Sequence, residues 1–341
     1  MLRTPFYLLY FIVFALVVVL FPLPLFAADA ARSASSSVSP PIFQTQWSVS
    51  NGGYPHLEIF PPSTAALHDY FKLVQHPLVF PPTAEQHFLP LVLNRLPHDY
   101  NKKMSSNRRK ALFIAILMPK ILLYNFEIGG ERAFLESLPP EDASIAADSP
   151  YLMQLNTLYK RYGVKAGNRK ELLLRVDTLP PALVVGQAVM EGGWGVSRFA
   201  RQGNALFGMK SGKHRRPGIA TPACAQDRSE CYRSFDSLTD SVAAYMHGLN
   251  THKAYAGMRA LRAEKRQKGM RQSAFVLAGG LQAFSERGDA YIADLRSMIS
   301  HNQLEQLDEA TLGFVPQKYN TSVVTTVKSM AAPFVSRPEM Q

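Results

Sequence analysis

A chain of 341 residues can bury a sizeable core in one or two domains. With 47% hydrophobic and 18% charged residues, disorder throughout is excluded. The long apolar run at the start does not make a polytopic membrane protein. Thirty-seven Lys plus Arg against 26 Asp plus Glu leave +11, which suits an anionic partner: nucleic acid, membrane or cell-wall polymer. Two cysteines exclude a disulfide-scaffold minidomain and a four-cysteine zinc site.

In chain order, residues 1–30 read as an export segment. Arg3 supplies positive charge, residues 6–21 are apolar and uncharged, and Ala27-Ala28-Asp29-Ala30 fits a cleavage site. An uncleaved membrane anchor at 6–21 is the alternative. Either reading expects an exported, periplasmic protein. Residues 31–104, rich in Ser and Pro, read as linker and poorly ordered chain. Apolar residues at helical spacing then predict a helix over 107–138, kinked or split at Pro119. Asp148-Ser149-Pro150 opens another, with Tyr151, Leu155, Leu158 and Tyr162 inward and Gly163 as its stop. Two more are expected after Asp236 (Leu238, Val242, Tyr245, Leu249) and Asp289 (Tyr291, Leu295, Met298, Ile299). Only 206–234 looks extended. The domain is therefore mainly α with a small β-hairpin or flap, over 105–305, followed by a weakly ordered tail at 306–341. Export and close spacing predict that Cys224 and Cys231 pair.

Residues 177–192 predict a buried helix, capped by Asp177 or Thr178 with Pro180-Pro181 in its first turn. Glu191 falls in its last turn, before Gly192-Gly193. Burial and the negative helix end both disfavour a charged carboxylate there. A raised pKa is what a general acid needs near neutral pH. A surface glutamate near a helix end is the plain alternative. Trp194 could give Glu191 an apolar wall.

The run E-x-x-W-G-x-S-R-x-A-x-x-x-N-x-L-F-G from Glu191 to Gly208 matches ten residue types in eighteen positions. It resembles the bacterial β-N-acetylglucosaminidase family that includes flagellar peptidoglycan hydrolases (glycoside hydrolase family 73-like). Tyr232-Arg233-Ser234-Phe235-Asp236-Ser237-Leu238, Asn250 to Tyr255 and Ser285 to Tyr291 resemble later segments of this family. The likeness covers about residues 105–300. It implies a lysozyme-like helical fold that cleaves β-1,4 N-acetylglucosaminyl bonds of peptidoglycan, with Glu191 as general acid. Asp227 and Glu230 are the nearest candidates for the second catalytic group. In a substrate-assisted rival, the sugar's acetamido group attacks and Tyr255 orients it. Trp194, Asn204, Phe207 and Tyr232 are candidate substrate-binding residues, with core the favoured place for Phe207. Gly192 and Ala205 depart from the common pattern, where Ser or Ala and a second Asn stand.

Two alternatives compete: a lytic transglycosylase, and a non-catalytic wall-binding scaffold. No H-E-x-x-H or comparable ligand spacing appears, so neither metal nor cofactor is expected. Nucleic acid is not an expected partner. The basic run Lys210, Lys213, His214, Arg215 and Arg216 reads as a solvated loop that touches anionic wall, forming one side of the glycan groove opposite Glu191.

Overall fold

The alternating residues His56, Leu57, Glu58 and Ile59 form a strand, not a linker. In the computed structural model, residues 44–102, 104–139, 142, 145–211, 219, 224 and 231–314 are described. β1 (Gln44–Val49) and β2 (Pro55–Phe60) make an antiparallel hairpin. β2 also pairs in parallel with the two-residue β4 (Leu91–Val92), while β3 (His87–Phe88) pairs with β5 (Thr311–Leu312). Period-two alternation sends Leu57 and Ile59 into the core and leaves His56 and Glu58 on the opposite face. Ser63 caps α1 (Thr64–Leu73), which buries Leu67, Tyr70 and Phe71.

This corrects the linker reading from residue 44 onward; residues 31–43 lie outside the described residues. Composition misled because the prolines punctuate short elements that carry core side chains at the right period. The tail expectation is corrected likewise: Leu304 and Leu307 are buried and β5 follows, so order persists to residue 314. The export segment at 1–30 falls outside the described residues.

α2 (Ser106–Ser137) is one helix of 32 residues, with Pro119 inside it and Ser105 as its cap. The expected split at Pro119 does not occur. By length and hydropathy α2 could span a membrane, yet 78% of its apolar window is buried against the protein. Its carboxy-terminal half builds a second small core with α3 (Pro150–Arg161) and α4 (Arg169–Arg175). There Leu155, Leu158 and Tyr162 are inward as expected, whereas Tyr151 is exposed.

α5 (Pro181–Gly192) is the axis of the main core, packed against α2, α9 (Ala274–Ala278), α10 (Asp289–His301) and the 3-10 turn Leu304–Glu309. Burying each of its Leu and Val side chains contributes about 1.5–3 kcal/mol. Its amino terminus is capped from a distance. The Ala182 N–H donates to Asp308 Oδ1 at 2.8 Å, in place of the expected Asp177 or Thr178. Asp177 is instead a buried anion paired with Arg132, Arg262 and Arg266. Gly186 lets α10 close in; a Cβ there would lie 2.9 Å from Ile299 Cγ1. α6 (Arg198–Gly203), α7 (Leu238–Thr251) and α8 (Ala256–Gln267) complete the helical layer. Ser237, not Asp236, caps α7, and Gly288 precedes α10.

Candidate active site

α5 stops where its apolar run meets two glycines. Gly193 takes φ +57°, and its N–H donates to the Val189 carbonyl at 2.9 Å. Glu191 is thereby held half-buried in the last turn. Burial raises its carboxyl above the usual carboxylate range, and the Tyr291 hydroxyl, 3.5 Å from Oε1, acts in the opposite sense. The chain returns over this carboxyl at Gly208. A Cβ there would sit 2.7 Å from Glu191 Oε2, and φ is +60°. Both the space and the backbone conformation therefore call for glycine.

Behind the carboxyl runs a chain of polar contacts. Gln187, one turn before Glu191 on α5, donates from Nε2 to the Tyr291 hydroxyl at 3.3 Å. The Tyr245 hydroxyl donates to Gln187 Oε1. Phe207 stacks flat on Tyr245, centroids 3.9 Å apart, and Phe284 stacks on Tyr291 at 5.0 Å. Tyr255 follows, its ring 6.4 Å from that of Phe284. Burial raises the hydroxyls of Tyr245, Tyr255 and Tyr291, and the Glu191 charge adds to the effect on Tyr245 and Tyr291. The structure thus brings Tyr255 into the aromatic cluster beside Glu191. Sequence reasoning placed Tyr245 and Tyr291 only as core residues and passed over Gln187. A lone amide in the apolar run 183–189, four residues before a glutamate, is the signal that could have found it.

The remaining candidates take different places. Trp194, at φ +58°, packs against Phe80 and Phe113 with the Lys110 ammonium 5.3 Å from its ring. Its carbonyl accepts from the Tyr100 hydroxyl. It ties the site helix to the amino-terminal segment. Asn204 is 4% exposed, and its Nδ2 donates to the Phe235 and Asp236 carbonyls. Phe207 is 2% exposed under Gly208. Burial corrects both as substrate contacts: they support the turn that carries Gly208. Tyr232 is half-buried against Phe199 and Lys210. Cys224 and Cys231 are disulfide-bonded, with Cα atoms 4.5 Å apart. Lys210 and Ile219 both bridge to Tyr232, so the base of the excursion is extended. Asp227, Glu230, Lys213, His214, Arg215 and Arg216 lie outside the described residues. The two departures from the motif are accommodated. A Cβ on Gly192 would meet only the Leu206 carbonyl at 3.4 Å, and Ala205 is buried with Phe235 and Ala244.

Comparison with known proteins follows this geometry. The glucosaminidase family, described as mannosyl-glycoprotein endo-beta-N-acetylglucosaminidase, matches residues 169–304, from α4 to the end of α10 and beyond. Protein bax of Escherichia coli (strain K12) is 36% identical over 211 residues, which cover 60% of this chain and 74% of that protein. This chain belongs to the glucosaminidase family. Glucosaminidases are glycoside hydrolases, and Glu191, Gly208, Tyr245, Tyr255 and Tyr291 all fall inside the family match. Among solved structures, the catalytic domain of the autolysin Auto from Listeria monocytogenes aligns at 16% identity over 48% of this chain and 92% of that one, with a TM-score of 0.28.

Proposed function

We propose that this glucosaminidase is an exported peptidoglycan hydrolase that cleaves β-1,4 N-acetylglucosaminyl bonds, with Glu191 as general acid. The observation that supports it is the state of Glu191. Its carboxyl is half-buried, is raised in pKa by burial, and is held between Gly208 and the Tyr291 hydroxyl. Burial favours the protonated carboxyl, the form that can donate to the leaving glycosidic oxygen. The Tyr291 hydroxyl, itself bonded by Gln187, contacts that carboxyl from one side. Tyr255, at the edge of the same cluster, would orient the sugar's acetamido group in a substrate-assisted route. The second catalytic group is either that acetamido oxygen or a carboxylate from Asp227 or Glu230. The positive charge of the chain suits the anionic wall polymer.

Mass analysis of fragments released from purified sacculi tests the reading. Reducing N-acetylglucosamine ends are expected. Anhydromuramic ends would indicate a transglycosylase, and no release at all would indicate a wall-binding scaffold. Glu191→Gln keeps the shape without the proton and should lower release by about 10²-fold or more. Release at the wild-type rate by the folded variant would end the assignment.

A further inference from the structure

Gln187 is fully buried on α5, one turn before Glu191. A buried amide needs an acceptor for its nitrogen and a donor for its oxygen. Gln187 Oε1 accepts from the Tyr245 hydroxyl, and Nε2 donates to the Tyr291 oxygen at 3.3 Å. The Tyr291 proton must then point elsewhere. Among the described residues the acceptor in its reach is Glu191 Oε1, at 3.5 Å. The chain of bonds therefore has one sense, from Tyr245 through Gln187 and Tyr291 to Glu191. Turning the amide over would reverse it: Tyr291 would donate to Gln187 and Oε1 would lose its donor. The two carboxyl oxygens also differ in surroundings. Oε1 faces Tyr291, which is buried, whereas Oε2 lies under Gly208, which puts no side chain against it. The titratable groups around Glu191 are Tyr291 on α10, Tyr245 on α7 and Tyr255 in the 3-10 turn Lys253–Tyr255, and burial keeps all three neutral. Among the described residues no charged side chain shifts the carboxyl.

We propose that Gln187 is a positioning residue: the sense of its amide aims the Tyr291 hydroxyl at Glu191 Oε1 and so keeps the acidic proton on Oε2, the oxygen on the Gly208 side. A carboxylic acid carries one proton, and with Oε1 engaged as an acceptor that proton sits on Oε2. The leaving glycosidic oxygen is therefore met at Oε2. This last step rests on the reading of Glu191 as general acid; the sense of the chain does not.

The test is carboxyl NMR titration of the full chain labelled with 13C at glutamate, with Glu191→Gln assigning the signal. Gln187→Met keeps the volume and removes both polar ends. The Glu191 titration should move to higher pH in it, because the aimed hydroxyl that favours the charged form is lost. In a Tyr291→Phe background the same change should add nothing. Tyr245→Phe frees the amide to turn and should shift the titration in the same direction by less, which decides the matter if Gln187→Met does not fold. In sacculus digestion, Gln187→Met should lower kcat about tenfold at unchanged KM, short of the loss in Glu191→Gln, and the alkaline limb should rise with the titration. An unmoved or lowered titration in the folded variant, or an equal shift in the Tyr291→Phe background, would overturn the proposal. A raised titration in a protein that releases no glycan would overturn the general-acid reading and leave the positioning role standing.

Discussion

Gly208→Ala is the sharpest test of how the site is built. The new Cβ would stand 2.7 Å from Glu191 Oε2, well inside the 3.4 Å of ordinary contact. The carboxyl must therefore give way by roughly 0.7 Å, and displacements near 1 Å at a reacting group cost about 10²-fold in rate. The φ of +60° adds strain of about 1–2 kcal/mol for a residue with a side chain. In a domain of this size that lowers the thermal midpoint by roughly 2–8 °C. The variant should fold, melt a few degrees early, and release sacculus fragments about 10²-fold more slowly. Gly192→Ala is the matched control. Its backbone needs no positive φ, and its Cβ would meet only the Leu206 carbonyl at 3.4 Å, so melting and activity should stay near wild type. Glycan release by Gly208→Ala above half the wild-type rate, with an unchanged midpoint, would refute the contact between this turn and the acid.

Tyr291→Phe removes the hydroxyl that opposes the burial shift on Glu191, so the carboxyl rises further. A general acid works while protonated, so the alkaline limb of the pH–rate profile should move to higher pH; an unmoved limb would remove Tyr291 from the acid's environment. The same change strips Gln187 Nε2 of its acceptor and should cost about 1–3 kcal/mol in chemical denaturation. Asp308 is raised from 3.8 to about 6, first by burial. The folded state therefore favours its protonated form: the benefit is complete below the usual carboxylate range and is lost as pH rises through about 6. The difference is roughly 3 kcal/mol between pH 3 and pH 7, read as a stability slope that should flatten in Asp308→Asn.

Local pattern was enough for most of the later helices and for the place of Glu191 at a helix end. Leu238, Val242, Tyr245 and Leu249 repeat at helical spacing and are all buried on α7. An apolar run closed by two glycines placed Glu191 at a helix end, and two cysteines seven residues apart marked a closed loop. These are properties of neighbours along the chain, set by helix period and backbone freedom. What surrounds Glu191 is not of that kind. Tyr291 reaches it across 100 residues, Gln187 reaches Tyr291 across 104, and Asp308 caps the same helix across 126. The Ser- and Pro-rich stretch hid Leu57, Ile59 and Phe71, whose burial depends on α2 arriving later in the chain. Lys120 looks like an interruption in an apolar run until the hairpin and α7 enclose it. Periodicity records which face of an element is apolar; only packing decides what that face meets, and the chemistry here lies in those meetings.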